Sequence, residues 1–519
     1  MLAARSTSAQ RLEQIWSERK NTFDLPSDSA ALAYVAWAKA MPWLARATDS
    51  EEWWEFFDVL VAASRDATNE PTGSLWSQQL LTVELPLTFA GFAVKLPSFA
   101  GMLEPVWTTL QQSLLKCTDD DGMFRDVPLE YWLPIFASWT RSLALGKEAD
   151  RKLSKDAESR FQDVVESLLR LANRDGSILF RCDAHGVETH HIDLWRTAET
   201  FVDARLRKVI TAIWGAAAKR GRSNTARAKR TALPTPSANS ERAGIAILRP
   251  SWSAPHLIID YRGSPFRLEL EGKGGAYLSG ACDLHLSLDG QQLSPQSSWE
   301  ELCWISDDDV DYLELQQSFA EGVTIQRHLL FARDDAFVFF ADAVLGEKAA
   351  AIEYRLTLPL AKDVSIESAA DTRELGLVKG GRRRAVVLPL ALSEWRGDRR
   401  QGELAEDANR LQLRQFAGAA QNLFAPWFID LAPNRLRRPA TWRQLTVAED
   451  RQIQPHDAAV GYRVQVGNKH WLFYRSLIAC GNRTVLGHNL VSEFLAARFG
   501  KSGVPETLIE IEAPADDDD

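Results

Sequence analysis

A chain of 519 residues is longer than one hydrophobic core usually grows, about 250–300 residues, so more than one domain is expected. With 45% hydrophobic and 25% charged residues it has the balance of an ordinary globular protein, which excludes a collagen-like or low-complexity chain. A net charge of −10 argues against a generic polyanion-binding surface while leaving room for a local basic cleft. The five cysteines, Cys117, Cys182, Cys282, Cys303 and Cys480, are odd in number and form no CxxC pair, so neither a disulfide framework nor a cysteine zinc site is expected.

The first twenty residues lack an apolar stretch before charges return. No signal peptide is expected, and with it a cytoplasmic location; a leader upstream of Met1 would point instead to the periplasm. No apolar run is long enough to span a bilayer. Helical spacing of apolar residues predicts helices over 8–20, 29–47 (with Pro42 near its end), 51–64 behind an Asp49 or Ser50 cap, and 75–94, which Pro86 should break or kink. Further helices are predicted over 99–117, 129–145, 156–171 and 192–213. Helices joined by short polar turns read as stacked hairpins of a bundle, a solenoid or an α/α toroid.

Residues 219–240 are rich in Ser, Thr, Pro and Arg and read as a linker. Its basic run has no interleaved aromatics to stack bases, so nucleic acid is not an expected partner. From Gly244 onward the apolar period changes to two: Leu284, Leu286 and Leu288 point one way, and Ile258 and Asp260 alternate with Ile259 and Tyr261. Many short alternating segments follow, with a hairpin turn at Arg333–Asp335, and indicate a large antiparallel β-sandwich. One late helix is predicted over 490–499, then a strand, then an acidic tail. The fold class is therefore α+β and multidomain: a toroid-like helical domain over 1–232, a β-sandwich over 243–512, and a tail over 513–519.

Three pieces carry a resemblance. Val83 to Thr88 reads VELPLT, Ala246 to Trp252 reads AILRPSW, and Gln326 to Asp342 reads QRHLLFARDDAFVFFAD. In that order they resemble the heparinase II/III-like polysaccharide lyases. The resemblance implies an α/α toroid joined to a β-sandwich, an acidic, uronate-containing polysaccharide or oligosaccharide as partner, β-elimination as the reaction and no cofactor. It also places histidine on a strand soon after the opening one, where this sequence has Ser279 and Gly280, with Asp283 and His285 nearby. Two functions stay open: a polysaccharide lyase, or a lyase-like scaffold without chemistry that binds carbohydrate or assembles with other proteins. The sequence leaves the oligomeric state open.

β-Elimination needs a uronate carboxylate neutralised, the C5 proton removed and the leaving oxygen protonated, tasks for a cation or amide and for Tyr or His. Candidate catalytic residues are Tyr131, His190, His191 and Glu84. Candidate substrate-binding residues are Trp195 and Arg196 in the same polar-aromatic cluster as the histidines, and Arg262 and Arg267 on strands near the domain junction. Each also fits a plainer role: a core tyrosine, a helix-capping and ion-pair cluster, a buried structural carboxylate, exposed strand arginines. Most of the eighteen tryptophans fit helical core as well as sugar stacking. No HxH, HExxH or DxDxDG spacing points to a metal, and no P-loop, GxGxxG or GxSxG motif to nucleotide binding or serine hydrolysis.

Overall fold

The computed structural model describes residues 27–46, 48–93, 101–173, 176–178, 191–214, 233–252, 255–397, 401–479, 481–500 and 504–512. Described residues up to Leu233 form one compact unit and those from Pro234 a second. The expected helix over 8–20, the body of the basic linker and the acidic tail lie outside the described residues.

The first unit is helical. Helix α1 (Asp28–Leu44) opens on Ser27, whose Oγ accepts from the Ala30 N–H at 3.2 Å, and α2 (Ser50–Asn69) on Asp49, whose carboxylate accepts from the Glu52 N–H at 2.9 Å. Then come α3 (Leu75–Gln79), a π turn (Leu80–Glu84) and α4 (Leu85–Ala93) in one continuous path. Pro86 neither breaks nor ends this path. The turn just before it bonds the Leu85 N–H to the Leu80 carbonyl, five residues back. That widening relieves the clash of a proline ring with the carbonyl four residues before it.

Helices α5 (Leu103–Cys117), α6 (Trp132–Glu148, entered through a 3-10 turn at Leu129–Tyr131) and α7 (Lys155–Leu171) follow. The single long helix expected over 192–213 is instead α8 (Ile192–Ala198), a 3-10 turn and α9 (Ala204–Trp214). The break falls at Asp203, whose carboxylate accepts from the Leu206 N–H at 2.8 Å and caps a new helix. Ala31, Val35, Phe57, Leu60, Leu81 and Phe89 from α1 to α4 share one core.

The second unit is antiparallel sheet throughout its named pairings. An 11-stranded sheet centres on Phe337–Pro359, paired with Arg410–Asp430 on one side and with Thr324–Ala332 on the other. The expected turn at Arg333–Asp335 joins Thr324–Ala332 to Phe337–Pro359. Along these strands Leu329, Phe331, Val338 and Phe340 enter one core, and Leu330, Ala332, Phe337 and Phe339 a second. Both faces of the central sheet are thus covered. One side packs on a five-stranded sheet running from Ala238–Ser240 to Gly275–Ala281, the other on five strands between Ala440–Leu445 and Pro505–Ile511. Three sheets thus stack in layers, and a fourth, of four short strands, packs through Val447, Val485 and Leu490 on the far face of the last. His256 to Ile259 are buried at every position rather than alternately.

The helix expected over 490–499 is not formed. His488–Leu490 and Phe494–Phe499 are strands, the second paired with Lys469–Ser476 and with Pro505–Ile511. Phe494 to Ala497 are all buried, so a strand with both faces covered carries no period of two to mark it.

Candidate functional site

Three helical segments run side by side in one direction: α1, the α3–α4 path and α6. Their first residues meet. Asp28 begins α1, Ser74 caps α3 and Tyr131 precedes α6. The Ser74 hydroxyl donates to the Asp28 carboxylate, and the Tyr131 hydroxyl lies beside both. The Trp76 ring lies 6.5 Å from the Tyr131 ring, and its buried indole N–H finds no acceptor among the described residues. Desolvation and the Asp28 charge push the Tyr131 phenol above its ordinary range. At neutral pH Tyr131 is therefore a held proton donor rather than a ready base.

Further along the same three segments lies a second cluster. Glu84, the last residue of the π turn, is fully buried. Arg141 Nε and Nη2 donate to its two oxygens at 2.6 and 2.8 Å, and Lys39 Nζ to Oε1 at 2.9 Å. Burial alone would raise the Glu84 pKa, but the Arg141 fork and the Lys39 charge outweigh it and hold the carboxyl below its ordinary range. The Lys39 and Arg141 side chains are 42% and 36% exposed, so both reach solvent. Two cations on one carboxylate leave a net charge of plus one at the surface. Ten residues of α6 separate Arg141 from Tyr131, about 15 Å along the helix.

The remaining expected residues fall elsewhere. His190 lies outside the described residues. His191 precedes α8, and its carbonyl accepts from the Leu194 N–H at 3.0 Å. Trp195 has no exposed face: Phe136 and Trp214 lie against it, each at 5.3 Å, and its N–H donates to the Gly176 carbonyl. An indole so enclosed packs the core and offers no ring to a sugar. Arg196 forms an exposed pair with Asp193 at 3.2 Å. Arg262 sits in an exposed turn after its strand has ended at Asp260, a correction to its expected place on a strand. Arg267 opens the next strand directly opposite Asp260.

Where the resemblance placed histidine, Ser279 Oγ donates to Glu269 at 2.8 Å, and Gly280 holds φ 128°. His285 is half-buried on the following strand. His328 is fully buried between sheets, with Nδ1 2.8 Å from the Tyr312 hydroxyl; desolvation and then Arg475 depress its pKa strongly. Asp342 is consumed by a bidentate pair with Arg327 at 2.7 and 2.8 Å, the guanidinium lying 4.5 Å from both the Phe266 and the Trp299 ring. Sequence reasoning missed Asp28, Ser74, Lys39 and Arg141. The available signal for the last two was a lone cation within an apolar helical phrase, AWAKAMPW and SWTRSLAL. Among the described residues no group of three or more His, Cys, Asp or Glu could hold a metal, and no helix is long and apolar enough to cross a membrane.

No protein-family model matches the chain, and no curated protein matches it. Solved structures do. A heparinase III gene product is similar over 91% of this chain and 81% of its own, with a TM-score of 0.60 and 10% identity. The heparan sulfate lyase HepC from Pedobacter heparinus covers 91% of this chain and 79% of its own, with a TM-score of 0.56 and 13% identity. A further heparinase III structure covers 90% and 79%, with a TM-score of 0.56 and 12% identity. At these identities the likeness is one of fold.

Proposed function

We propose that this chain cleaves an acidic, uronate-containing polysaccharide by β-elimination, with Tyr131 as the proton donor. The observation that carries the reading is the Tyr131 hydroxyl, set beside Asp28 and Ser74 and near an unanswered Trp76 N–H. In the elimination, the C5 proton leaves to a base, the C5 electrons form the C4–C5 double bond, and the C4–O bond breaks. The departing oxygen takes a proton. A phenol kept protonated by a neighbouring carboxylate suits that last step, and Asp28 then stabilises the proton's return. His190 and His191 are the candidate bases. The surplus charge of the Lys39–Glu84–Arg141 cluster, about 15 Å from Tyr131, suits an anionic group on a sugar further along the polymer rather than on the reacting one.

The test is ultraviolet absorbance of the unsaturated uronate product across heparin, heparan sulfate, hyaluronan, chondroitin and alginate. Absorbance rises on at least one polymer, and Tyr131→Phe slows that rise about 100-fold or more while leaving the thermal midpoint in place. A second reading, a lyase-like binding scaffold without chemistry, is favoured by one observation: Ser279, tied to Glu269, and Gly280 stand where the resemblance places histidine. A flat trace on every polymer, with one of them still bound, selects it.

A further inference from the structure

Two hairpin tips of the second unit lie against each other and gather positive charge. The first joins Arg267–Gly272 to Gly275–Ala281 through Lys273 and Gly274. The second joins Leu375–Lys379 to Arg382–Pro389 through Gly380 and Gly381, whose φ angles of 59° and 68° suit a two-residue turn of glycines. Lys379 and Arg382 are directly opposed across this second hairpin, and like charges so placed destabilise a sheet. Just beyond them the register slips, with Leu377 facing Ala385 and Val378 facing Arg383, so Arg384 is the extra residue of a bulge. Bulges re-aim a side chain, and this one carries the Arg384 guanidinium to the first tip: a Cβ on Gly274 would lie 3.3 Å from its Nη2. Lys379 Nζ bridges the tips by donating to the carbonyls of Ala276 at 2.8 Å and Lys362 at 3.2 Å.

Lys273, Lys362, Lys379, Arg382 and Arg384 therefore share one surface. Lys273, Lys362, Arg382 and Arg384 form no ion pair with a described carboxylate. Arg383, by contrast, is tied to Glu367 at 2.8 Å, and Asp363 is the single acid in the turn that holds Lys362. A surface that repels itself, in a chain of net charge −10, is stabilised by an anion that it binds. The geometry points to an anchoring site for the carboxylate or sulfate groups of a polyanionic glycan, built on the sheet unit. Arginine forks match those oxygens bidentately. No exposed large aromatic or aliphatic side chain lies among these cations, so bases have no stacking surface and a membrane has no inserting residue. The site requires no elimination chemistry.

The experiment is retention of the full chain on immobilised heparin through a salt series, with duplex DNA and phosphatidylserine vesicles as alternative probes. Lys273 and Arg382 are exposed, and Lys273→Ser with Arg382→Ser weakens heparin binding by about fivefold or more, in line with the loss of exposed ion pairs. Lys116→Ser with Lys155→Ser, an equal loss of charge from two exposed lysines of the helical unit, leaves binding at the parental level. The thermal midpoint of the double variant stays at the parental value, and any product absorbance from a short oligosaccharide is unchanged. Heparin binding by the double variant equal to the parent's overturns the site. So does tighter binding of DNA or vesicles than of heparin by the parent chain.

Discussion

Glu84 is a carboxylate taken fully out of water, and it stays ionised because Arg141 and Lys39 supply three hydrogen bonds to its two oxygens. Glu84→Gln keeps the shape and removes the charge. Both cations are about two-fifths exposed, so solvent screens the loss, and the variant is expected to lose about 2 kcal/mol rather than the 3–5 kcal/mol of a wholly buried pair. The sign of the pH dependence follows from the lowered pKa. A depressed carboxyl stabilises the fold fully above the unfolded glutamate value, about 4.3, and loses that contribution as pH falls through its folded value. Urea midpoints measured from pH 7 down to 3 should therefore fall more steeply for the parent than for Glu84→Gln; parallel profiles would remove the ion pair from the stability argument. This triad was illegible beforehand, because its members stand 45 and 57 residues apart on three helices. The Arg327–Asp342 pair is different. Once a turn is placed at 333–336, Ala332 faces Phe337, and counting outward sets Arg327 opposite Asp342. The phrase contained the pair; that the pair is core rather than site depended on the sheet laid over it.

Among the helices, α5 and α6 approach closely at Gly146 and Trp107. A Cβ on Gly146 would sit 2.0 Å from Trp107 Cζ3. Trp107 has little room to yield, being buried and tied through Nε1 to the Lys152 carbonyl at 3.0 Å. Two effects compete in Gly146→Ala. Helix propensity favours alanine by about 1 kcal/mol, while overpacking costs about 1–3 kcal/mol. A contact this far below van der Waals distance puts the overpacking ahead, so the variant should melt lower, as differential scanning calorimetry would register; a raised midpoint would mean the helices part freely. The same scale explains two misread elements. Over 192–213 the apolar period runs on through Asp203, although the helix stops and restarts there. Over 494–499, Phe-Leu-Ala-Ala reads as helix until strands on both sides claim its backbone.

Each unit has its own core. Residues of α1 to α4 form one, and the two faces of the central sheet form two more, made from sheet residues alone. A piece spanning 234–512 should accordingly fold by itself. A cooperative urea transition with a near-ultraviolet circular dichroism signal is the expected result, and a gradual, non-cooperative loss of signal would show that the sheets depend on the helices. The layering of the sheets also bears on histidine. His328 lies on the inner face of the central sheet, stacked 5.1 Å from Phe494 of the covering sheet, so its place in a polar phrase says nothing about access to a substrate.

By itself the sequence determined what depends on neighbours in the chain: helices before about 215, strands after about 237, the turn at Arg333–Asp335, and through that turn the facing of Arg327 and Asp342. These are set by local period and turn chemistry, which a few residues suffice to express. Only the tertiary structure decided which polar residues meet. Asp28, Ser74 and Tyr131 come together because three helices begin at one level, and Lys39 and Arg141 converge on Glu84 because those helices stay in step for ten residues more. Trp195 went inward and Arg196 outward for the reason that packing, not composition, chooses the buried face.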